Sequence, residues 1–288
     1  MRRLLRFCAP HGLVEMRRAA LSKRRDLVRD DYHAKRHRVI SQVLRPEANA
    51  RAVVPEFKME AGVRFLVGRG LDERQIRDGS IPERSLDFVA AKIAALDWQD
   101  RAMVGLHIGN FVGLSLAAFI GMLTTLHAES VVIATDPNVP HRGVMSPQDH
   151  VLALLSHFRL QSRAIVVAGY SGSKSVSNDG GVFGGYDPEQ HFPREAACEN
   201  VIANLGSLFG RCIDIAVVDG NHEALYLRHE IHEIARALRP GGLLVLDDVD
   251  DAWAELRQVY LSLPAAEWQD LGSDGRVGLL RLLPASSP

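Results

Sequence analysis

From Met103 onward, short runs of consecutive apolar residues alternate with longer stretches in which apolar positions recur every three or four residues. The runs are MVGLHIG (103–109), SVVIATD (130–136), AIVVAGY (164–170), IDIAVVDG (213–220) and LLVLDD (243–248). Between them lie LSLAAFIGMLTTLHA, SPQDHVLALLSHF, PREAACENVIANLGSLF and LYLRHEIHEIARAL. Runs that are apolar on both faces suit strands covered on both sides, and the intervening period suits helices. The alternation predicts a doubly wound, Rossmann-like α/β domain with a mostly parallel sheet over residues 85–288. The tail AEWQDLGSDGRVGLLRLL reads as two further strands around a Ser-Asp-Gly turn. Residues 1–84 read as a mostly helical N-terminal extension: helix over 1–45, a break at Pro46, and a short strand in GVRFLVGRG (62–70). A helix follows from residue 79, with Ser80 as its cap. Ser146, before Pro147, is the expected cap of the helix after the second strand.

Bulk properties narrow the class. The 288 residues are 47% hydrophobic with net charge −1, which suits one sizeable globular unit and gives no cause to expect nucleic acid. Cys8, Cys198 and Cys212 form neither a disulfide framework nor a metal knuckle, which favours a reducing, cytoplasmic setting. No apolar run approaches the roughly 20 residues of a membrane span. The basic start is broken by Arg6 and Pro10 and is not read as a signal peptide. Residues 1–40 hold a dozen Arg and Lys against four acids. The plainer reading is a solvated helical face; the alternative is contact with a partner chain, which makes these helices candidates for homo-oligomerisation.

In open α/β sheets a ligand binds beyond the carboxyl ends of the strands, where strand order reverses. After the first strand comes Gly109-Asn110-Phe111-Val112-Gly113, where glycines admit a close backbone and a helix N-terminus offers N–H groups. The second strand ends at Asp136, 23 residues after Gly113, where an acid can bond ribose hydroxyls. A dinucleotide needs a glycine where Phe111 stands, so an adenosine cofactor without pyrophosphate fits better. The fourth run delivers Asp219 and His222 and the fifth delivers Asp247 and Asp248. If those strands are neighbours, three carboxylates crowd together and a hard divalent cation would relieve them. An all-oxygen set favours magnesium, and a vicinal diol is a natural second ligand.

GLHIGNFVG, VVIATDP and IDIAVVDGNHEALYLRHEIHEIARALRPGGLLVLDD resemble the successive motifs of class I S-adenosylmethionine-dependent methyltransferases. The last is similar to the metal-dependent O-methyltransferase branch that modifies sugars of macrolides and related natural products. The resemblance spans about residues 80–260. It implies that Gly109, Asn110, Phe111 and Gly113 wrap the methionine half of S-adenosylmethionine, that Asp136 holds the ribose, and that Tyr170 and Ser171 lie near the adenine. It implies that Asp219, Asp247 and Asp248 bind Mg2+ and that His222 is the general base on the hydroxyl of a small-molecule or glycan acceptor. The residue two before Gly109 departs from the pattern: it is His107, where such enzymes usually carry an acid.

Plainer readings stand beside these. A lone strand-end acid is often a helix cap, and Asp250 and Asp251 read as cap and first-turn acids of the next helix. His229 and His232 read as solvated or packed, His191 and Lys174 as loop residues, and Trp98, Trp253 and Trp268 as core or edge. Two other functions remain open: a nicotinamide-dependent oxidoreductase, which Phe111 disfavours, and a non-catalytic methyltransferase-like binding module, which His107 keeps in view.

Overall fold

A computed structural model describes residues 57–96, 98, 101–173, 176 and 199–284. The expected helices over 1–45, the start of the PREAACEN helix, and Lys174 and His191 lie outside the described residues, as does most of the Gly/Ser-rich segment after the third strand.

The elements are α1 (Met59–Gly68), α2 (Glu73–Asp78), α3 (Glu83–Ala94), β1 (Val104–Ile108), α4 (Leu114–Leu126), β2 (Val131–Asp136), α5 (Pro147–His157), β3 (Ala164–Ala168), α6 (Val201–Phe209), β4 (Ile213–Val218), α7 (Ala224–Ala237), β5 (Leu238–Leu246), α8 (Ala254–Leu261), β6 (Trp268–Ser273) and β7 (Gly278–Leu282). The sheet runs β3-β2-β1-β4-β5-β7-β6. Strands β1 to β5 are parallel, and β7 is antiparallel to both β5 and β6. Strands β1 and β4 are buried at every position, as continuous apolar runs require. Strand order reverses between β1 and β4, so the crevice opens at their C-terminal ends.

The core joins the sheet to α4 and to the helices that precede it: Val63, Leu66, Ile76, Ile81 and Leu86 share one cluster with Phe119, Leu123, Val132, Ile215 and Leu243. Truncating a fully buried member such as Leu123 to Ala would cost about 2–5 kcal/mol. The segment expected as a strand at 62–70 is instead helical, as α1. Its buried residues Val63 and Leu66 are three apart, which is helical spacing. Gly62 punctuates nothing: a β-carbon there would lie 2.6 Å from Leu114 and 2.7 Å from Phe57, so it lets two helices approach.

Two expected caps work differently. The Ser80 hydroxyl donates to the Ile76 carbonyl (2.8 Å), closing α2 rather than opening α3. Ser146 occupies the N-cap position of α5 but makes no side-chain cap bond; Asn138 Oδ1 accepts the Gln148 N–H there at 2.9 Å. The tail forms the expected hairpin. Asp274 Oδ1 accepts the N–H groups of Arg276 (2.9 Å) and Val277 (2.7 Å), and Gly275 takes φ 100°.

Candidate functional site

The loop after β1 is shaped by steric necessity. A β-carbon on Gly109 would lie 1.7 Å from the Asp219 carbonyl oxygen, and its φ of 79° is one that only glycine adopts readily. The ends of β1 and β4 can therefore touch only through a glycine. Asp136, at the end of β2, holds the loop from the other side. Its Oδ2 accepts the N–H of Asn110 (2.8 Å) and of Phe111 (3.2 Å), and its Oδ1 accepts that of Asn138 (2.8 Å). Phe111 sits at φ 42° and sets its ring edge-on to His141, with centroids 5.5 Å apart. Gly113, at φ 91°, starts α4. His107 is wholly buried and bonds Asn110 Oδ1 through Nδ1 (3.1 Å). Burial lowers its pKa to about 4, so the ring is neutral and supplies no charge.

The pairing of β4 with β5 puts Val218 beside Leu246, which aligns Asp219 with Asp247 as expected. Arg276 then lies against both acids that follow β5, with Nη2 also 3.3 Å from Asp248 Oδ1. Both oxygens of Asp247 are taken by Arg276, Nε to Oδ1 at 3.0 Å and Nη2 to Oδ2 at 2.8 Å. The residues whose ligand atoms converge are Asp219, His222 and Asp248, all within 4.8 Å of one another. Asp247, expected as a third carboxylate ligand, is not in that group: it adjoins Asp219 while both its oxygens bond the guanidinium carried by the β6–β7 turn. Asp248 adopts φ 56°, a strained value that breaks the strand's alternation and lets its carboxylate face His222. His222 Nε2 lies 2.8 Å from Asp248 Oδ2, without the alignment of a hydrogen bond.

Charge is in excess here. Asp219 is only partly covered because it faces the cavity, yet enclosure by protein, with Asp247 and Asp248 nearby, raises its pKa well above the usual carboxylate value. Asp247 is raised by burial, against the pull of Arg276. Three acids face one guanidinium, so the group suits a divalent cation. Trp253 stacks on His222 with centroids 4.2 Å apart and planes 24° apart, so it is a wall of the site rather than core. Asp250 accepts the Ala252 N–H at 2.9 Å and caps the turn that carries Trp253.

Beyond β3, Tyr170 and Ser171 are buried. The loop is fastened to α7, where Tyr226 Oη accepts the Gly172 N–H (3.1 Å) and Ser171 donates to Glu230. Asn221 lies at the end of β4 and accepts the Glu223 N–H (3.1 Å), turning the chain into α7. Of the paired histidines on α7, His229 packs its ring against Gly172.

These parts open into one cavity of about 280 Å³. Gly109, Phe111, Asp136, Tyr170 and Ser171 line it together with Asp219, His222 and Asp248. Asn110, Gly113 and Asp247 are not on its wall. Arg276, Glu230 and Trp253 are wall residues that the motifs did not single out. Glu230 alone left a trace in the sequence, as an acid on the apolar stripe of α7.

Among protein families, the chain matches the methyltransferase domain over residues 106–249. No curated protein is a significant match. A crystal structure of a Corynebacterium glutamicum protein superposes with a TM-score of 0.50 at 12% identity, covering 87% of this chain and 99% of that one. An O-methyltransferase from Bacillus cereus in complex with SAH gives 0.48 at 14% identity, covering 82% and 94%. A SAM-dependent O-methyltransferase from Thermotoga maritima gives 0.46 at 10%, covering 79% and 73%.

Proposed function

The chain belongs to the methyltransferase-domain family, and from that premise we propose that it transfers a methyl group from S-adenosylmethionine to a hydroxyl of a sugar or other small natural product, assisted by a divalent ion. The observation that carries this reading is the single cavity, in which the glycine loop and the acid–imidazole group face the same space. Transfer between two bound molecules needs both to be held there in line.

In this reading the loop from Gly109 to Gly113 cradles the methionine half and Tyr170 and Ser171 flank the adenine. Asp136 already accepts three backbone N–H groups. A carboxylate offers about four lone-pair sites, so it would meet the ribose with its remaining capacity. Asp219 and Asp248 would hold the ion, while both oxygens of Asp247 bond Arg276. Two carboxylates with open positions suit magnesium or manganese. A bound ion would lower the pKa of the acceptor hydroxyl. His222 keeps Nε2 without a hydrogen-bond partner, so it can take the hydroxyl proton, and the Trp253 stack limits its rotation. The oxygen gains the methyl as the carbon–sulfur bond breaks, leaving S-adenosylhomocysteine and a protonated His222.

Calorimetric titration with S-adenosylmethionine, followed by labelled-methyl transfer to a panel of sugar and catechol diols with and without chelator, tests the proposal. Binding and chelator-sensitive transfer are expected. Absence of binding at millimolar cofactor would overturn the cofactor assignment, and transfer indifferent to chelation would overturn the ion alone.

A further inference from the structure

Helix α7 packs inward through Leu227, Ile231 and Ile234, all buried. Glu230 lies on the same stripe and is 0% exposed. A leucine there would complete the apolar face, so the carboxyl needs a reason. Part of the reason is visible: Oε1 accepts the Ser171 hydroxyl. The other oxygen, Oε2, is also buried and has no hydrogen-bond partner among the described residues, although Glu230 lines the cavity. Burial, opposed by the Ser171 bond, raises the Glu230 pKa to about 8. At neutral pH the group is therefore a carboxylic acid, with one oxygen accepting and the other carrying O–H. A buried O–H with nothing to donate to is costly unless a ligand supplies the acceptor.

The surroundings say what kind of ligand. Ser171 belongs to the loop after β3, which Tyr226, one turn before Glu230, also fastens through the Gly172 N–H. On the other side, Oε1 lies 3.9 Å from where a β-carbon of Gly220 would stand, so Glu230 sits between the loops after β3 and β4. We propose that Glu230 donates a hydrogen bond from Oε2 to a ring nitrogen of the adenine of a nucleoside cofactor bound in this cavity. The proposal rests on the S-adenosylmethionine reading above. Among the described residues, four titratable groups lie nearby. Tyr226 is raised by burial to about 12 and is neutral; His229 packs on Gly172; Glu199 bonds Ser173; Asp219 adjoins Gly220. Among the described residues of the β3 loop, Ser171 bonds Glu230 through its hydroxyl.

The test is calorimetric titration of the full chain with S-adenosylhomocysteine from pH 6 to 9.5, for wild type, Glu230→Gln and Glu230→Leu, with ligand-free melts alongside. Wild-type affinity should hold to about pH 8 and then fall by up to about tenfold per unit as the donor is lost. Glu230→Gln keeps an N–H donor, so it should bind within a few-fold of wild type and lose that fall. Glu230→Leu should bind about tenfold more weakly, with no lower melting temperature. If the leucine variant does not fold, the wild-type profile and its flattening in Glu230→Gln decide the question. Unchanged affinity in the leucine variant, or an unchanged pH profile in the glutamine variant, overturns the proposal while leaving the cofactor reading intact. A wild type that binds no S-adenosylhomocysteine overturns both.

Discussion

Strand β4 carries an aspartate near its start and another just past its end, and the two have opposite surroundings. Asp214 is 1% exposed and surrounded by donors: the Val104 N–H at 2.8 Å, Arg101 Nη2 at 2.6 Å and Arg239 Nε at 3.2 Å. Asp219 lies beside two acids, and the guanidinium of Arg276 is shared between Asp247 and Asp248. Both residues follow from the same chain pattern, an acid at the edge of an apolar run. The difference is whether the fold brings them cations. Asp214 has its charge matched and fastens the lower ends of β1 and β4. Asp219 has charge left over, which marks the end where an external cation can bind.

The sharpest way to break this contrast is to neutralise each acid. If Asp219 holds the proposed ion, Asp219→Asn should lower methyl transfer on the order of a thousand-fold. Its ligand-free melting temperature should hold or rise, because one of three crowded charges is gone. A clear fall in melting temperature would mean that Asp219 is structural after all. Asp214→Asn should do the reverse. It strands two arginines and should cost about 3 kcal/mol, near the low end for a buried pair because both guanidiniums reach solvent. Denaturant melts would read that loss, while S-adenosylhomocysteine affinity per folded molecule stays unchanged.

A smaller effect should come from the ion itself. Manganese or magnesium at about 100 times its dissociation constant should add about 2.7 kcal/mol of stability to wild type. That gain should vanish in Asp248→Ala and persist in Asp214→Asn; equal gains in both variants would move the ion away from the cluster. Smallest is Trp253→Ala, which leaves every charge in place and frees the His222 ring. A loss of about tenfold in turnover with little change in cofactor affinity would fit a positioning role. An unchanged turnover would leave the stack as packing.

Much of the frame was legible in the chain. The five parallel strands were readable because strands buried on both faces must be apolar throughout, and the strand-end residues Gly109, Asp136, Asp219 and Asp248 follow from where those runs stop. The misread segment at 62–70 shows the limit: glycines that admit a neighbouring helix look the same in sequence as glycines that end a strand. Among the acids, the sequence could list Asp247 beside Asp248 but could not divide their work. Arg276 comes 28 residues after Asp248 and reaches Asp247 only because β7 inserts between β5 and β6.

The sequence by itself determined the order of elements, the glycine that β1 must end on, and the residue types at the mouth of the sheet. These depend on local periodicity and on what a backbone position can hold. The tertiary structure alone decided that one arginine spans Asp247 and Asp248 while only Asp248 also meets His222, that Trp253 covers His222, and that an acid on the inner face of α7 reaches the cavity. Those outcomes depend on the pairing of distant strands, and a charge becomes structural or functional only when its neighbours across the sheet are known.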